Sequence, residues 1–227
     1  SNRFTSSHDG PWVEEYRKFE ETHTNPDRLV ASLFKDKYFI LKKVNPKELM
    51  WGMYWVASDM QNAETKVSFY DLFKGQELFD LWQCVNYRFY VGNANHADGK
   101  GIVVANAKSL LRNILDSADE AIRKGGIAAT LRFGHDGNVI PLVALMQIEN
   151  CNVAVSDPYE VYKVWSDFKV VPMAANVQII FFRNEKSNDI LVKIMHNENE
   201  VHIPVQTDMF PYYRWRDVEN YYRGMLK

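Results

Sequence analysis

The chain has 227 residues, of which 46% are hydrophobic and 25% charged, with a formal net charge of −2. That composition allows a buried core and excludes disorder as the default state; the near-neutral charge excludes the basic field that recruits nucleic acid. No run approaches the ~18 apolar residues of a membrane span, and no signal peptide is legible.

The first hundred residues read as helices. In "DGPWVEEYRKFEE", Asp9 stands near a start and Pro11 in the first turn, and Trp12, Val13, Tyr16 and Phe19 recur at helical spacing. "NPDRLVASLF" and "NPKELMWGMYWVASDM" share one device: Asn25 and Asn45 can cap, and Pro26 and Pro46 sit at the first helical position. "KGQELFDLWQCVNYRFYVG" is a further amphipathic helix. Trp51, Trp55 and Trp82 fall on helical faces and are assigned to core. The polar loop "NANHADGKG", Asn93 to Gly101, is the best break in composition, and His96 within it is read as solvated. Residues 1–104 are therefore expected to form a mostly helical cap region, and 105–227 an α/β core portion.

After the loop, "ANAKSLLRNILDSADEAIRKGG" carries one apolar face, ends at Gly125 or Gly126, and shows Asp116, Asp119 and Glu120 as a solvated side. Ile127–Phe133 reads as a short strand. Asn138–Ile148 reads as a helix in which Pro141 is tolerable only near the start. Val177–Glu185 and Asp189–Asn197 flank a polar tip and predict a hairpin, "EVHIPV" offers a third strand, and "YYRWRDVENYYRGML" closes the chain as an aromatic-faced helix. The order indicates a mixed α/β layer beside a helical part. Of the two cysteines, Cys84 suits a small buried apolar residue; one disulfide with Cys151 is possible, but nothing demands it.

Chemistry concentrates in "LRFGHDGNVIPL", Leu131 to Leu142. His135 and Asp136 stand where a strand-like run gives way to a helix start, the place where open α/β sheets collect ligands. Helix-start amides attract an anion, a histidine can donate to a phosphate oxygen, and an aspartic acid can hold a proton for a leaving oxygen. Gly137 admits close backbone approach, and Asn138 can cap the helix or touch substrate. Arg132 can bind phosphate, or can face the surface or an internal acid. The competing interpretation of the same residues is a plain Asp-Gly turn. His8, in a second His-Asp pair, precedes a helix start and is read as a cap or turn; His196 and His202 beside the hairpin are read as structural.

"LRFGHDGNVIPLVALM" resembles the C-terminal His-Asp motif of the histidine acid phosphatases, the family of bacterial phytases and inositol-polyphosphate phosphatases. "LFDLWQCVNYRFYVGN" and "NAKSLLRNILDSADEAI" are similar to that family's helical domain and the long helix before the motif. "NDILVKIMHNENEVHIPV" and "PYYRWRDVENYYRGML" are similar to its closing hairpin and last helix. The resemblance implies an α/β fold of phosphoglycerate mutase-like histidine phosphatase layers with a helical cap. It implies hydrolysis of phosphate monoesters, inositol phosphates among them, through a phosphohistidine, with neither metal nor cofactor. Carried over, Asp136 is the general acid, His135 a phosphate ligand, and Asn138 and Arg132 substrate-binding candidates. The family is usually exported, which implies a periplasmic or extracellular address.

The departure is large, because no Arg-His-Gly occurs in the 227 residues. The family's nucleophile motif and leading strand are therefore missing, and the chain is expected to be the later part of a longer enzyme, inactive alone. Two other functions remain open. A catalytically incomplete relative would act as a binding module, using aromatics for glycans or a protein partner. A metal-dependent His-Asp phosphohydrolase would need further His and Asp ligands at helical spacing, which the pattern does not offer.

Overall fold

The structure, a computed structural model, describes residues 10–184, 186, 187 and 189–227. His8 and its reading as a cap lie outside the described residues. The chain divides into two compact units that part between Arg88 and Phe89. The parting lies inside a helix, where no change in composition marks it.

The first unit holds α1 (Trp12–His23), α2 (Asp27–Leu33), α3 (Lys37–Leu41), α4 (Pro46–Asp59) and the greater part of α5 (Gly75–Asn93), with 3-10 turns at Met60–Asn62 and Tyr70–Leu72. The Asn-Pro signal works fully at α4. The Asn45 side-chain oxygen accepts from the Lys47 and Glu48 N–H groups at 3.0 and 3.4 Å, and Pro46 fills a position that needs no donor. At α2 it is weaker: Asn25 accepts from the Asp27 N–H at 3.2 Å, but Pro26 flanks the helix and no side chain caps it. Leu29, Met50, Tyr54, Ala57, Phe73 and Leu81 form the core. Each fully buried large aliphatic contributes roughly 1.5–3 kcal/mol. Residues 50, 54 and 57 define the inward stripe of α4. Trp55 falls outside that stripe and is 51% exposed, stacked beside Trp51 with ring centroids 5.8 Å apart, so its assignment to core is corrected. Arg28 donates to both carboxylate oxygens of Glu77, at 2.6 and 2.5 Å. Burial works against that carboxylate, but Arg28 and the Lys74 N–H outweigh it and hold its pKa below the usual value.

The second unit continues with the last turn of α5, a 3-10 turn at Ala97–Gly99, α6 (Ile102–Ala105), α7 (Lys108–Lys124), α8 (Asp136–Leu145), α9 (Pro158–Val164) and α10 (Asp167–Val170). Four strands and a final helix follow: β1 (Val177–Arg183), β2 (Ile190–His196), β3 (Asn199–Glu200), β4 (Tyr212–Arg214) and α11 (Trp215–Met225). The sheet is antiparallel. The predicted hairpin is β1–β2, running from Val177 opposite His196 to Arg183 opposite Ile190, and β2 also pairs with β3 and β4. Val192, Ile194 and His196 alternate inward along β2. The third strand stops after Glu200. Val201 gives one more N–H to Ile194 O, Ile203 instead donates to the Tyr213 hydroxyl at 3.4 Å, and Pro204 has no donor to offer.

Two sequence expectations are overturned in this unit and a third, the solvated face of Asp116, Asp119 and Glu120, is qualified. Ile127–Phe133 pairs with no strand among the described residues and has no regular secondary structure, with Leu131 75% and Phe133 94% exposed. An apolar, β-prone run becomes a strand only when a neighbour supplies its ladder. Asp116 and Asp119 are not simply solvated. Arg223 of α11 donates to Asp116 at 2.9 Å, to Asp119, and to Glu219 at 2.6 Å, while Trp215 Nε1 donates to Asp119 at 3.1 Å. These bonds tie α11 along α7, and the three carboxylates push the Arg223 pKa above its ordinary value. His96 is buried rather than solvated, and its Nδ1 accepts the Asp98 N–H at 3.2 Å. The Tyr90 hydroxyl, which accepts from the Val155 N–H and donates to Val153 O, both at 2.8 Å, holds the 153–155 segment, and Val155 O accepts the Ala97 N–H at 3.2 Å beside His96.

Both cysteines are free and buried, one in each unit, and burial pushes each thiol up to about 12. Among the described residues no helix is long and apolar enough to cross a membrane.

Candidate active site

The site begins where α7 ends. Gly125 and Gly126 take φ of 68° and 78°, a region that side chains disfavour, and so turn the chain out of the helix. The chain then runs to Gly134 without regular secondary structure. His135, with φ −107° and ψ 169°, is extended, and α8 starts at Asp136. The helix thus begins two residues before the start that the sequence predicts, which puts Pro141 in its second turn. Pro141 lacks an N–H, so the Gly137 carbonyl goes without the donor that position would supply in a regular helix.

The first turn is built from its own side chains. Asn138 Oδ1 accepts the His135 N–H at 3.2 Å. His135 O in turn accepts from the Asn138 and Val139 N–H groups at 2.9 and 3.1 Å. Asp136 Oδ1 accepts the Gly137 N–H at 2.6 Å. His135, Asp136, Gly137 and Asn138 are all exposed. From Ile140 onward the character inverts: Ile140, Pro141, Leu142, Val143, Ala144 and Leu145 are all buried, as in a helix that is apolar on every side. The far end is held from α11. The Tyr222 hydroxyl donates to Met146 O and the Tyr221 hydroxyl to Gln147 Oε1, each at 2.9 Å. Burial pushes the Tyr222 phenol up, so it remains a neutral donor.

The predicted site residues are thus only partly gathered. His135 and Asp136 stand side by side in solvent at the positive end of a helix dipole, an arrangement that attracts an anion and offers it an imidazole and a carboxyl group. Asn138 is turned back on the His135 backbone. Arg132 lies against α7, where its guanidinium donates to Asn113 Oδ1 at 2.8 and 3.2 Å and to Ser117 Oγ at 2.8 Å. Among the described residues no group of three or more His, Cys, Asp and Glu side chains is placed to hold a metal ion. Two cavities, of about 220 and 170 Å³, lie elsewhere: the first beside Arg112 and Arg223, the second beside His23 and Arg28.

The glycines divide the work differently from the sequence expectation. A Cβ at Gly137 would sit 3.5 Å from Asn93 Oδ1, an ordinary contact, so that position is not crowded by any described residue. A Cβ at Gly134 would come within 3.2 Å of Asn138 Oδ1, tight against the capping side chain. Sequence reasoning misses both Gly134 and Asn93. No local signal marks Asn93, because only the fold brings the end of α5 to the start of α8.

Comparison with known proteins bears on the whole arrangement. No curated protein matches the chain. Among solved structures, the multiple inositol polyphosphate phosphatase of Bifidobacterium longum in complex with inositol hexasulfate superposes with a TM-score of 0.66 at 23% identity, covering 77% of this chain and 37% of that one. The same enzyme in complex with phosphate gives 0.66 at 22% identity over 80% of this chain and 40% of that one. Its apo form gives 0.64 at 22% over 77% and 38%. At these identities the likeness establishes the fold, and the chain spans only about two-fifths of the length of the enzyme it matches. The family model described as the histidine phosphatase superfamily (branch 2) matches residues 2–197, the greater part of the sequence, and the mixed helix and antiparallel sheet agree with it. This chain belongs to the histidine phosphatase superfamily, branch 2.

Proposed function

We propose that these residues form the general-acid half of a histidine-type acid phosphatase. Asp136 gives its proton to the ester oxygen as the P–O bond to the alcohol breaks. The phosphoryl group passes to a nucleophilic histidine, and His135 donates to a phosphate oxygen throughout. Water then attacks the phosphohistidine and gives its proton to the Asp136 carboxylate, the N–P bond breaks, and inorganic phosphate leaves with Asp136 protonated again. The nucleophile belongs to an Arg-His-Gly motif carried outside these residues, and the chain alone is inactive. The observation behind the proposal is the pairing of an exposed imidazole and an exposed carboxyl group on adjacent residues at the start of a helix whose body is buried. Such a helix holds its first turn in place while leaving the chemical groups accessible.

The substrate class is a small phosphate ester. Inositol phosphates are the leading candidates, because the B. longum neighbour is an inositol polyphosphate phosphatase with an inositol hexasulfate complex. Arg132 joins the site only on leaving Asn113 and Ser117. A periplasmic or extracellular address follows from the family resemblance alone. No specific observation favours the metal-dependent alternative.

Hydrolysis of a generic phosphate ester by the full-length protein tests the proposal. Asp136→Asn and His135→Ala are each expected to lower turnover by about 10²-fold or more, with a chelator leaving the rate unchanged. Full turnover in either variant, or loss of activity with chelator, contradicts it.

A further inference from the structure

We infer that Asn138 is a positioning residue that acts through the backbone of His135, and that Gly134 exists in the site to make room for it. The inference deepens the phosphatase reading and rests on it for its kinetic consequences, though its structural core stands independently.

The starting point is what holds His135 still. The run before it makes no ladder with any described strand, and its side-chain tie is at Arg132, three residues back. What His135 does have is a reciprocal lock with the first turn of α8. Its N–H is taken by Asn138 Oδ1 at 3.2 Å, and its carbonyl takes the Asn138 and Val139 N–H groups at 2.9 and 3.1 Å. One residue, Asn138, thus closes the lock from both sides, by side chain and by backbone. The buried body of α8 transmits that fixity, since it begins at Ile140, two residues on. A phosphate ligand displaced by about 1 Å can cost a hundredfold in rate, so the lock has kinetic weight.

The geometry also explains Gly134. The asparagine side chain must lie back over the preceding residue to reach the His135 N–H. A Cβ at position 134 would meet Asn138 Oδ1 at 3.2 Å, Cβ at 3.6 Å and Cγ at 3.7 Å. The crowding falls first on the accepting oxygen. A side chain at 134 therefore opposes the same bond that loss of the amide would remove.

A substrate contact and a positioning lock predict opposite outcomes for the Asn138→Asp substitution. If the Asn138 amide donated to the phosphate, a carboxylate in its place would remove the donor and repel the anion. If only the side-chain oxygen matters, the aspartate variant keeps an acceptor on the His135 N–H. Two measurements separate these.

The first is amide hydrogen exchange at His135 in the full-length protein, without substrate or turnover. Protection is expected in the wild type and in Asn138→Asp, and is expected to be lost in Asn138→Ala and in Gly134→Ala, with an unchanged melting temperature as the control for folding. Equal exchange in all four overturns the lock, whatever the enzyme does.

The second is kcat and KM on a phosphate ester in the full-length protein. Asn138→Ala and Gly134→Ala are each expected to lower kcat about tenfold or more, the double variant to fall no further than either single one, and Asn138→Asp to recover most of the loss. Losses that multiply in the double variant, or a failure of aspartate to rescue, overturn the positioning role. Protection behaving as expected in a protein with no phosphatase activity would refute the phosphatase reading and the kinetic role while leaving the lock standing.

Discussion

The two ends of α8 are opposites. At its start, four consecutive residues, His135 to Asn138, lie in water and are held by short local hydrogen bonds. At its other end, Ile140 to Met146 are buried, and two tyrosines of α11 reach in to hold the last carbonyl and the glutamine beyond it. One end carries polar side chains in solvent, and the other carries apolar packing. The difference teaches where the folding energy of this helix comes from: the packed end supplies it, and the open end is left free to present an imidazole and a carboxyl group to solvent.

Substitutions can break that contrast or sharpen it. Ile140→Ala, at the buried end, is expected to cost about 2–5 kcal/mol by urea unfolding, through lost transfer energy and a cavity. Tyr222→Phe removes the donor to Met146 O and is expected to cost about 1–3 kcal/mol, because a buried acceptor is left without its partner.

A smaller effect depends on pH. His196 is buried, with Nε2 bonded to Val170 O at 2.8 Å and Nδ1 3.7 Å from Cys151 Sγ, and burial holds its pKa below the ordinary 6.5. The unfolded chain takes up a proton near that value while the folded chain does not. Stability from this group is therefore present above pH 6.5 and falls as the pH drops below it. Urea midpoints should decline from about pH 7.5 to about pH 5.5 in the wild type, with a shallower slope in His196→Gln. Smallest of all, Asp136→Asn at the open end is expected to shift stability by no more than about 0.5 kcal/mol. A large loss there would mean that the carboxylate is a structural group.

The same contrast explains what can be read from the residues alone. Helices announced by local signals are legible: Asn45 and Pro46 start α4 because capping needs nothing beyond a few neighbouring residues. The hairpin is legible too, since its strands lie next to each other in sequence and their alternation survives in the register of β1 and β2. Ile127–Phe133 misleads because a strand depends on a partner that local pattern cannot supply. Asp119 looks solvated in the sequence because its partners, Arg223 and Trp215, lie about a hundred residues away along the chain. His96 looks exposed because a polar loop conceals the buried interior that Tyr90 organises. The His-Asp pair itself is legible as a motif. The lock that orients it is not, since it depends on the Asn138 side chain folding back over Gly134.

The central claim is that Asp136 protonates the departing oxygen, and leaving-group dependence tests it most directly. In the full-length protein, turnover of an alkyl phosphate, whose alkoxide needs a proton, would be compared with that of a p-nitrophenyl phosphate, whose phenolate does not. Asp136→Asn is expected to slow the alkyl ester by about 10²–10⁴-fold and the nitrophenyl ester far less. Equal loss on both esters, or none on either, would contradict the assignment.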